Sequence, residues 1–218
     1  MRDTMDNPPK FYHVNDLFII ATPSSSGKAD IDTIRKLDQM PYMLQKGFCP
    51  VVAHKKGIAR ARSECLRALK DHLDSRGIKH EGHARIFWLD DDCMLDESFD
   101  IRRLAAWIKI ADKEGLNLTA NYKQPWHDHE ENVIFHSSKN EKGEILYNSY
   151  SDEELSKLEE LAPLPDSVAG MGFCYLDMPL DYKFHESGNG EDITFMQDVN
   201  MKLNYMPVRI FHAKTVYI

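Results

Sequence analysis

Three consecutive carboxylates follow an apolar segment in the middle of the chain. Ile86 to Leu89 is apolar and strand-like, and Asp90, Asp91 and Asp92 come directly after it. Ligands of α/β sheets bind at the carboxyl ends of strands, and because extended side chains alternate, Asp90 and Asp92 are predicted to face one side. A divalent cation such as Mg²⁺ or Mn²⁺ would relieve their mutual repulsion and bind phosphate. A solvated acidic turn explains the triplet equally well when it is taken alone.

A second acidic motif lies far downstream. Gly190-Glu191-Asp192 opens a predicted helix, directly after the glycine-containing stretch His185 to Asn189. A carboxylate such as Asp192 at a rigid helix start is well placed to accept a proton or to anchor a substrate hydroxyl. Acidic residues are also favoured in a first helical turn by the helix dipole, so capping is the alternative interpretation.

Basic residues gather near the start of the predicted second helix. The set comprises Lys55, Lys56, Arg60 and Arg62. Backbone amides and positive side chains at a helix start can receive phosphate. A solvated basic face is an equally good interpretation.

Histidines offer two further candidate sites. His212 ends the last predicted strand, where a structural role is more common than a ligand role. Trp126-His127-Asp128-His129 follows Pro125, and its close spacing favours a surface loop that borders a substrate over a metal site.

Composition narrows the class of protein. The chain has 218 residues, and its 35 acidic and 27 basic residues give a formal charge of -8, which argues against a nucleic-acid partner. Its four cysteines form no CxxC pair, so we expect neither zinc nor disulfides and favour a reducing cytoplasm. No apolar run reaches the roughly 20 residues of a bilayer span, so no membrane anchor is expected. The length suits one domain, and the apolar end Thr215 to Ile218 suggests excision from a longer chain.

The first half of the chain alternates short apolar runs with helical patterns, which predicts a mostly parallel sheet covered by helices. The predicted strands are Leu17 to Ala21, Val51 to Ala53, Ile86 to Leu89 and Leu116 to Ala120, and the predicted helices are Ile31 to Leu44, Ala59 to Leu73 and Ile101 to Ala111.

The second half of the chain has a different pattern of predicted elements, which is typical of a smaller antiparallel part. Strands Val133 to His136 and Ile145 to Tyr147 flank a predicted hairpin turn at residues 140–143. Ser151 starts a capped helix that is predicted to run to Leu161. The remaining predictions are a strand at Gly172 to Leu176, a helix at Glu191 to Leu203 and a strand at Pro207 to Phe211.

Taken in order along the chain, these motifs resemble those of GT-A glycosyltransferases. The resemblance rests on the strand that ends in Asp90-Asp91-Asp92, the arginine-containing helix before it, Gly190-Glu191-Asp192 and the late His212. More narrowly, the chain is similar to glycosyltransferase domains of chlorella viruses that take part in capsid glycan synthesis. The resemblance implies an α/β fold of the nucleotide-diphospho-sugar transferase type, Rossmann-like with helices on both faces. It also implies a single domain of residues 1–218, divided into a nucleotide-sugar-binding half (1–120) and an acceptor-side half (121–218).

The resemblance also implies a role for each matching residue. Asp192, with Glu191 beside it, would be the catalytic carboxylate at the acceptor. Asp92, Asp90 and His212 would hold Mn²⁺ or Mg²⁺. The donor would be bound by Thr22, Pro23, Arg60, Asp90, Asp91, Gly170 and Gly172, with the two glycines letting the sugar approach the backbone closely.

The implied reaction moves a hexose-type sugar, of glucose or rhamnose type, from a UDP-sugar to an oligosaccharide acceptor. The metal would act as a Lewis acid on the departing diphosphate. Asp192 would deprotonate the acceptor if the anomeric centre is inverted and would only orient it if the centre is retained. Further domains of the same chain are expected partners, and for a viral protein the compartment would be the host cytoplasm.

Three other classes compete with this interpretation. A phosphatase with an Asp-x-Asp-x-Thr motif would need threonine where Met94 stands. A nucleotidyltransferase would need a glycine-rich basic loop after the first strand, which residues 24–28 match only in part. A metal-dependent carbohydrate-binding module would bind free sugar without any dependence on nucleotide.

Overall fold

The computed structural model describes residues 11–24, 35, 37–91, 93–95, 99–121, 123–126, 129–159, 161–162, 167–186, 190–195, 198, 208–212 and 215–217. A 3-10 turn at Val14–Asp16 precedes the first strand. In chain order the elements are β1 (Leu17–Ser24), α1 (Met40–Leu44), β2 (Gly47–His54), α2 (Ile58–Arg76), β3 (His83–Leu89), β4 (Cys93–Leu95), α3 (Ile101–Glu114), β5 (Asn117–Asn121), β6 (Lys123–Trp126), β7 (His129–Asn132), β8 (Ile134–Lys139), β9 (Ile145–Ser149), α4 (Asp152–Ser156), β10 (Ser167–Ala169), β11 (Phe173–Pro179), β12 (Val208–His212) and β13 (Thr215–Tyr217).

A six-stranded mixed sheet forms the centre, in the order β12-β5-β11-β3-β1-β2. Strand β1 is parallel to both β2 and β3, and β5 is parallel to β12. Strand β11 is antiparallel to both of its neighbours, β3 and β5. The sheet therefore combines strands from both halves of the chain, and the prediction of an α/β protein with a mostly parallel sheet is confirmed.

Helices cover both faces of this sheet. Along β3, Ile86 and Trp88 join the core beneath α2, whereas Phe87 and Leu89 join the core beneath α1 and α3. Strand β1 is buried along its whole length, as expected for a strand covered on both faces. The predicted placement of helices on both faces is confirmed.

Local sequence sets the ends of the two long helices. Helix α2 ends at Gly77, whose φ of 67° is the left-handed conformation that stops a helix. Helix α3 begins after Asp100, whose side chain accepts a hydrogen bond from the Arg102 N–H at 2.9 Å. In the described parts of the chain, no helix is long and apolar enough to cross a membrane.

The smaller antiparallel parts contain the predicted hairpin. Strands β8 and β9 pair with Lys139 opposite Ile145, and β10 pairs with the other edge of β8. Ser151 caps α4 through a reciprocal pair of hydrogen bonds with Glu154, as predicted. Two short pairs, β6 with β7 and β13 with β4, complete the described strands.

Two of the predicted helices differ from the observed ones, and a third is described only in part. The helix predicted from Ile31 to Leu44 is interrupted: Arg35 is helical, residues 37–39 form a turn, and a short helix begins at Met40, whereas residues 31–34 and 36 lie outside the described residues. Pro41 explains this start, because proline fits the first turn of a helix but not its interior. The helix predicted to reach Leu161 ends at Ser156, and Leu161 itself has a left-handed φ of 60°. Of the helix predicted from Glu191 to Leu203, residues 191–195 and 198 are helical, and the rest lies outside the described residues.

Candidate functional site

One buried arginine binds three carboxylates that come from two distant motifs. The side chain of Arg62 is 1% exposed, and its Nη2 donates to both carboxylate oxygens of Asp90, at 3.1 and 3.0 Å. Its Nη1 donates to Glu191 Oε1 at 2.6 Å and also to Asp192 Oδ1. The two acidic motifs predicted from the sequence therefore meet at a single guanidinium group.

Helix α2 places Arg62 on the side that faces the sheet. Arg62 lies on the same stripe as Ala59, Cys65, Leu66 and Leu69, all of which are buried. Residues spaced three and four apart share one face of a helix, so Arg62 occupies a core position. A buried charge requires paired and hydrogen-bonded partners, and the carboxylates supply them.

Strand pairing places Asp90 beside the predicted glycine segment. The Asp90 N–H donates to the Gly172 carbonyl at 2.9 Å, which extends the pairing of β3 with β11 by one residue. The Met171 N–H donates to Asp192 Oδ2 at 2.9 Å, and the Gly170 N–H donates to the Val133 carbonyl at 2.7 Å. Gly170 and Gly172 are both buried, and the segment they define connects Asp90 to Asp192.

The two acidic residues at the helix start have different protonation behaviour. Burial and a hydrogen bond to Asp192 raise the pKa of Glu191 to about 8. Burial acts to raise the pKa of Asp192 as well, but the charge of Arg62 and the hydrogen bonds from Glu191 and Met171 hold it below its usual range. Burial acts to lower the pKa of Arg62, and the three carboxylates outweigh it and raise that pKa. Near neutral pH the pair therefore carries one proton, on Glu191, beside a charged guanidinium.

Asp91 has a different partner from Asp90. Ser24, the last residue of β1, is 2% exposed and donates its hydroxyl to Asp91 Oδ2 at 2.6 Å. The Ser24 carbonyl accepts the Lys55 N–H at 3.2 Å, which connects the end of β1 to the residues that precede α2. Asp91 is thus held against the end of the neighbouring strand.

The predicted donor-binding residues Thr22, Pro23 and Arg60 lie on β1 and α2, the elements that also carry Ser24 and Arg62. Thr22 and Pro23 are buried near the carboxyl end of β1, opposite Val52 and Ala53 of β2. Arg60 is exposed on the first turns of α2. The arginine that binds the carboxylates is Arg62, two residues further along the helix, for which the sequence predicts only a place in a general phosphate-binding set. The signal that identifies Arg62 is its place in the apolar stripe of the helix.

An aromatic cluster holds the helical residues 191–195 near α2. Phe195 packs against Tyr182 and Phe184, with ring centroids 4.9 and 5.4 Å away, and Phe184 packs edge-on against Trp88 at 5.9 Å. The Phe184 N–H also donates to the Ser63 hydroxyl of α2 at 3.0 Å. These contacts fix the start of the helix that carries Glu191 and Asp192.

The metal set that the resemblance implies is described only in part. Asp92 lies outside the described residues, as does the side chain of His212. The His212 backbone pairs with Asn121 at the end of β5. Strand β13 then pairs with β4, with Tyr217 opposite Cys93, so the chain after His212 returns beside the residue that follows Asp92.

The described residues do not by themselves fit a divalent cation. Both oxygens of Asp90, the ligand type that Mg²⁺ and Mn²⁺ prefer, already accept hydrogen bonds from Arg62. Within the described ranges, no group of three or more His, Cys, Asp and Glu side chains is arranged to hold a metal ion. A metal bound here would depend on Asp92 and His212.

The chain matches none of the protein-family models, and no curated protein matches it.

Proposed function

We propose that this chain is a metal-dependent glycosyltransferase of the GT-A type, which moves a hexose-type sugar from a UDP-sugar to an oligosaccharide acceptor. The convergence of its motifs supports the proposal. Asp90 and Asp192 are separated from Arg62 by 28 and 130 residues, yet both accept hydrogen bonds from its guanidinium. Met171, in the glycine segment, contacts the same Asp192.

The location of this cluster suits a nucleotide-sugar. Asp90 follows β3, which pairs with β1 and β11 inside the sheet, and ligands of such sheets bind beyond the carboxyl ends of the parallel strands. Ser24 and Asp91 meet at the same edge, since both follow the apolar parts of parallel strands. The donor is proposed to lie across this edge, with Thr22, Pro23 and Arg60 on one side and the glycine segment on the other.

Two carboxylates with separated pKa values suit proton transfer at the acceptor. Asp192, whose pKa is lowered, is ionised at neutral pH and is the proposed base for an inverting reaction, whereas Glu191 holds a proton. In a retaining reaction Asp192 would orient the acceptor hydroxyl instead. A cation at Asp92 and His212 would supply Lewis-acid stabilisation of the departing diphosphate.

Titration calorimetry of uridine diphosphate tests the proposal. The measurement is made with and without Mn²⁺, on the native protein, on Asp92→Ala and on the control Asp71→Ala, whose aspartate lies on the exposed side of α2. We expect metal-dependent binding that Asp92→Ala loses and Asp71→Ala keeps. Absence of nucleotide binding under every condition would contradict the proposal and favour a carbohydrate-binding module.

A further inference from the structure

The geometry points to Arg62 as a positioning residue, which ties Asp90 at the end of β3 to the Glu191-Asp192 pair and so sets the distance between donor-side and acceptor-side carboxylates. The inference rests on the proposed function, because it assigns those two sides.

The contacts of Arg62 divide between its two terminal nitrogens. In the part of the chain that the structure describes, Nη2 donates to Asp90, whereas Nη1 donates to Glu191 and Asp192. The guanidinium group is planar and rigid, so fixing one nitrogen fixes the direction of the other. A displacement of Asp90 therefore moves the pair on the helix start, and the reverse also holds.

The opposite charges of Arg62 and its three carboxylate partners stabilise this arrangement. Asp90, Glu191 and Asp192 have side chains that are only 16, 14 and 22% exposed, and Arg62 is 1% exposed. Among the described residues, Arg62 is the basic side chain whose contacts span both acidic motifs. Without it, neighbouring carboxylates would repel one another in a partly buried space.

The surroundings leave Asp192 little freedom once Arg62 is in place. One Asp192 oxygen accepts from Arg62 and the other accepts from the Met171 N–H at 2.9 Å. The Met171 backbone lies in the segment that precedes β11, which is paired with β3. Arg62 and Met171 thus hold Asp192 from both sides, and both connect it to the sheet that carries Asp90.

Lysine is the informative substitution at position 62 because it keeps the positive charge but lacks the two terminal nitrogens of the guanidinium group. A single ammonium group cannot hold Asp90 with one nitrogen and the helix pair with another. A misplacement of about 1 Å can reduce a rate by about a hundredfold. For Arg62→Lys we expect kcat to fall by at least about tenfold, while the KM for the UDP-sugar changes by less than about threefold.

The test combines kinetics with hydrogen exchange on the full chain. Sugar transfer is measured for Arg62→Lys, Asp192→Asn and the double variant, with Arg67→Lys, exposed on the same helix, as the control. Amide exchange of Met171 and of residues 190–195 is measured in parallel. If Arg62 acts by holding Asp192, then Arg62→Lys has little further effect on kcat in the Asp192→Asn background, and exchange at these amides rises while β1 stays protected.

Two other results would overturn the inference. Independent, multiplicative losses of kcat in the double variant would show that Arg62 does not act through Asp192. Unchanged exchange at Met171 and residues 190–195 in Arg62→Lys would show that it positions nothing. If the native protein transfers no sugar at all, the proposed function fails, and the exchange measurement still decides whether Arg62 ties the two motifs.

Discussion

Arg62 and Asp90 form a two-point ion pair in which one guanidinium nitrogen donates to both carboxylate oxygens, at 3.1 and 3.0 Å. The pair joins the sheet-facing side of α2 to the end of β3, and it is extended by Glu191 and Asp192 on the other nitrogen. The carboxylates at the carboxyl end of β3 and at the start of the downstream helix are therefore held together by the guanidinium group of Arg62.

Replacing Arg62 with methionine is expected to destabilise the protein strongly. Three carboxylates would then share a partly buried space without their arginine, and breaking a buried ion pair from one side costs about 3–5 kcal/mol. Urea unfolding measures the loss. The exposed Arg67→Met variant should stay within about 0.5 kcal/mol of the native protein. A loss of unfolding free energy below about 1 kcal/mol for Arg62→Met would show that Arg62 is not needed to stabilise the three carboxylates.

The raised pKa of Glu191 predicts that the free energy of unfolding depends on pH. Its pKa is raised to about 8 in the folded protein, against about 4.3 in an unfolded chain. Between these values the folded state holds a proton that the unfolded state has released. The contribution of Glu191 is therefore fully present below the unfolded value and is lost as the pH rises towards the folded one, by at most about 1.4 kcal/mol per pH unit.

The Glu191→Gln variant isolates this effect, because glutamine does not titrate. We expect the unfolding free energy of the native protein, minus that of the variant, to fall steadily from the pKa of an unfolded glutamate up to that of Glu191. Denaturant unfolding at a series of pH values measures the difference. Parallel profiles, or a difference that grows with pH, would refute the assignment of the proton to Glu191.

Removing the Ser24 hydroxyl is expected to lower the free energy of unfolding, because the contact between the end of β1 and Asp91 is lost. The hydroxyl donates to Asp91 Oδ2 at 2.6 Å, and a hydrogen bond to a charged group contributes about 1.5–3 kcal/mol. Thermal and urea unfolding of Ser24→Ala should show a loss in that range. Ser75→Ala, an exposed hydroxyl on α2, serves as the control and should cost less than about 0.5 kcal/mol. Equal losses in the two variants would contradict a specific role for the Ser24–Asp91 contact.

Gly57 is expected to tolerate alanine less well than Gly77, although the two glycines flank the same helix. Gly57 has φ 89° and ψ 131°, and an added Cβ would lie 2.6 Å from Glu186 Oε1. Gly77 has φ 67° with nothing within 4 Å of that position. Left-handed backbone costs an alanine about 1–2 kcal/mol, and the Gly57 conformation about 1–3 kcal/mol. Urea unfolding of Gly57→Ala and Gly77→Ala compares them, and a larger loss for Gly77→Ala would be the contrary result.

Sequence patterns predict the strands of the central sheet because a strand that is buried on both faces is a continuous run of apolar residues. The apolar runs at Leu17 and Ile86 are strands, and the alternation of strands with helical segments gives the parallel arrangement. The strand predicted at Gly172 to Leu176 is observed as β11, but its antiparallel insertion between β3 and β5 depends on long-range pairing that no local pattern records.

The candidate site was predictable in part. Asp90, Glu191 and Asp192 are predictable from their residue types and from their places at a strand end and a helix start. For Arg62 the sequence predicts only a phosphate-binding role shared with its basic neighbours, because a cluster of basic residues does not reveal which side chain is buried. Its helical spacing with Ala59, Leu66 and Leu69 carries that information.

Sugar transfer itself is the most direct measurement of the central claim. The chain is incubated with UDP-glucose or UDP-rhamnose, Mn²⁺ and an oligosaccharide panel, and the products are followed by release of uridine diphosphate and by mass spectrometry. We predict metal-dependent release together with an acceptor heavier by one sugar residue, and a fall in both rates by about a hundredfold or more in Asp192→Asn. Release that is absent with every donor, or equal in the native protein and Asp192→Asn, would contradict the account.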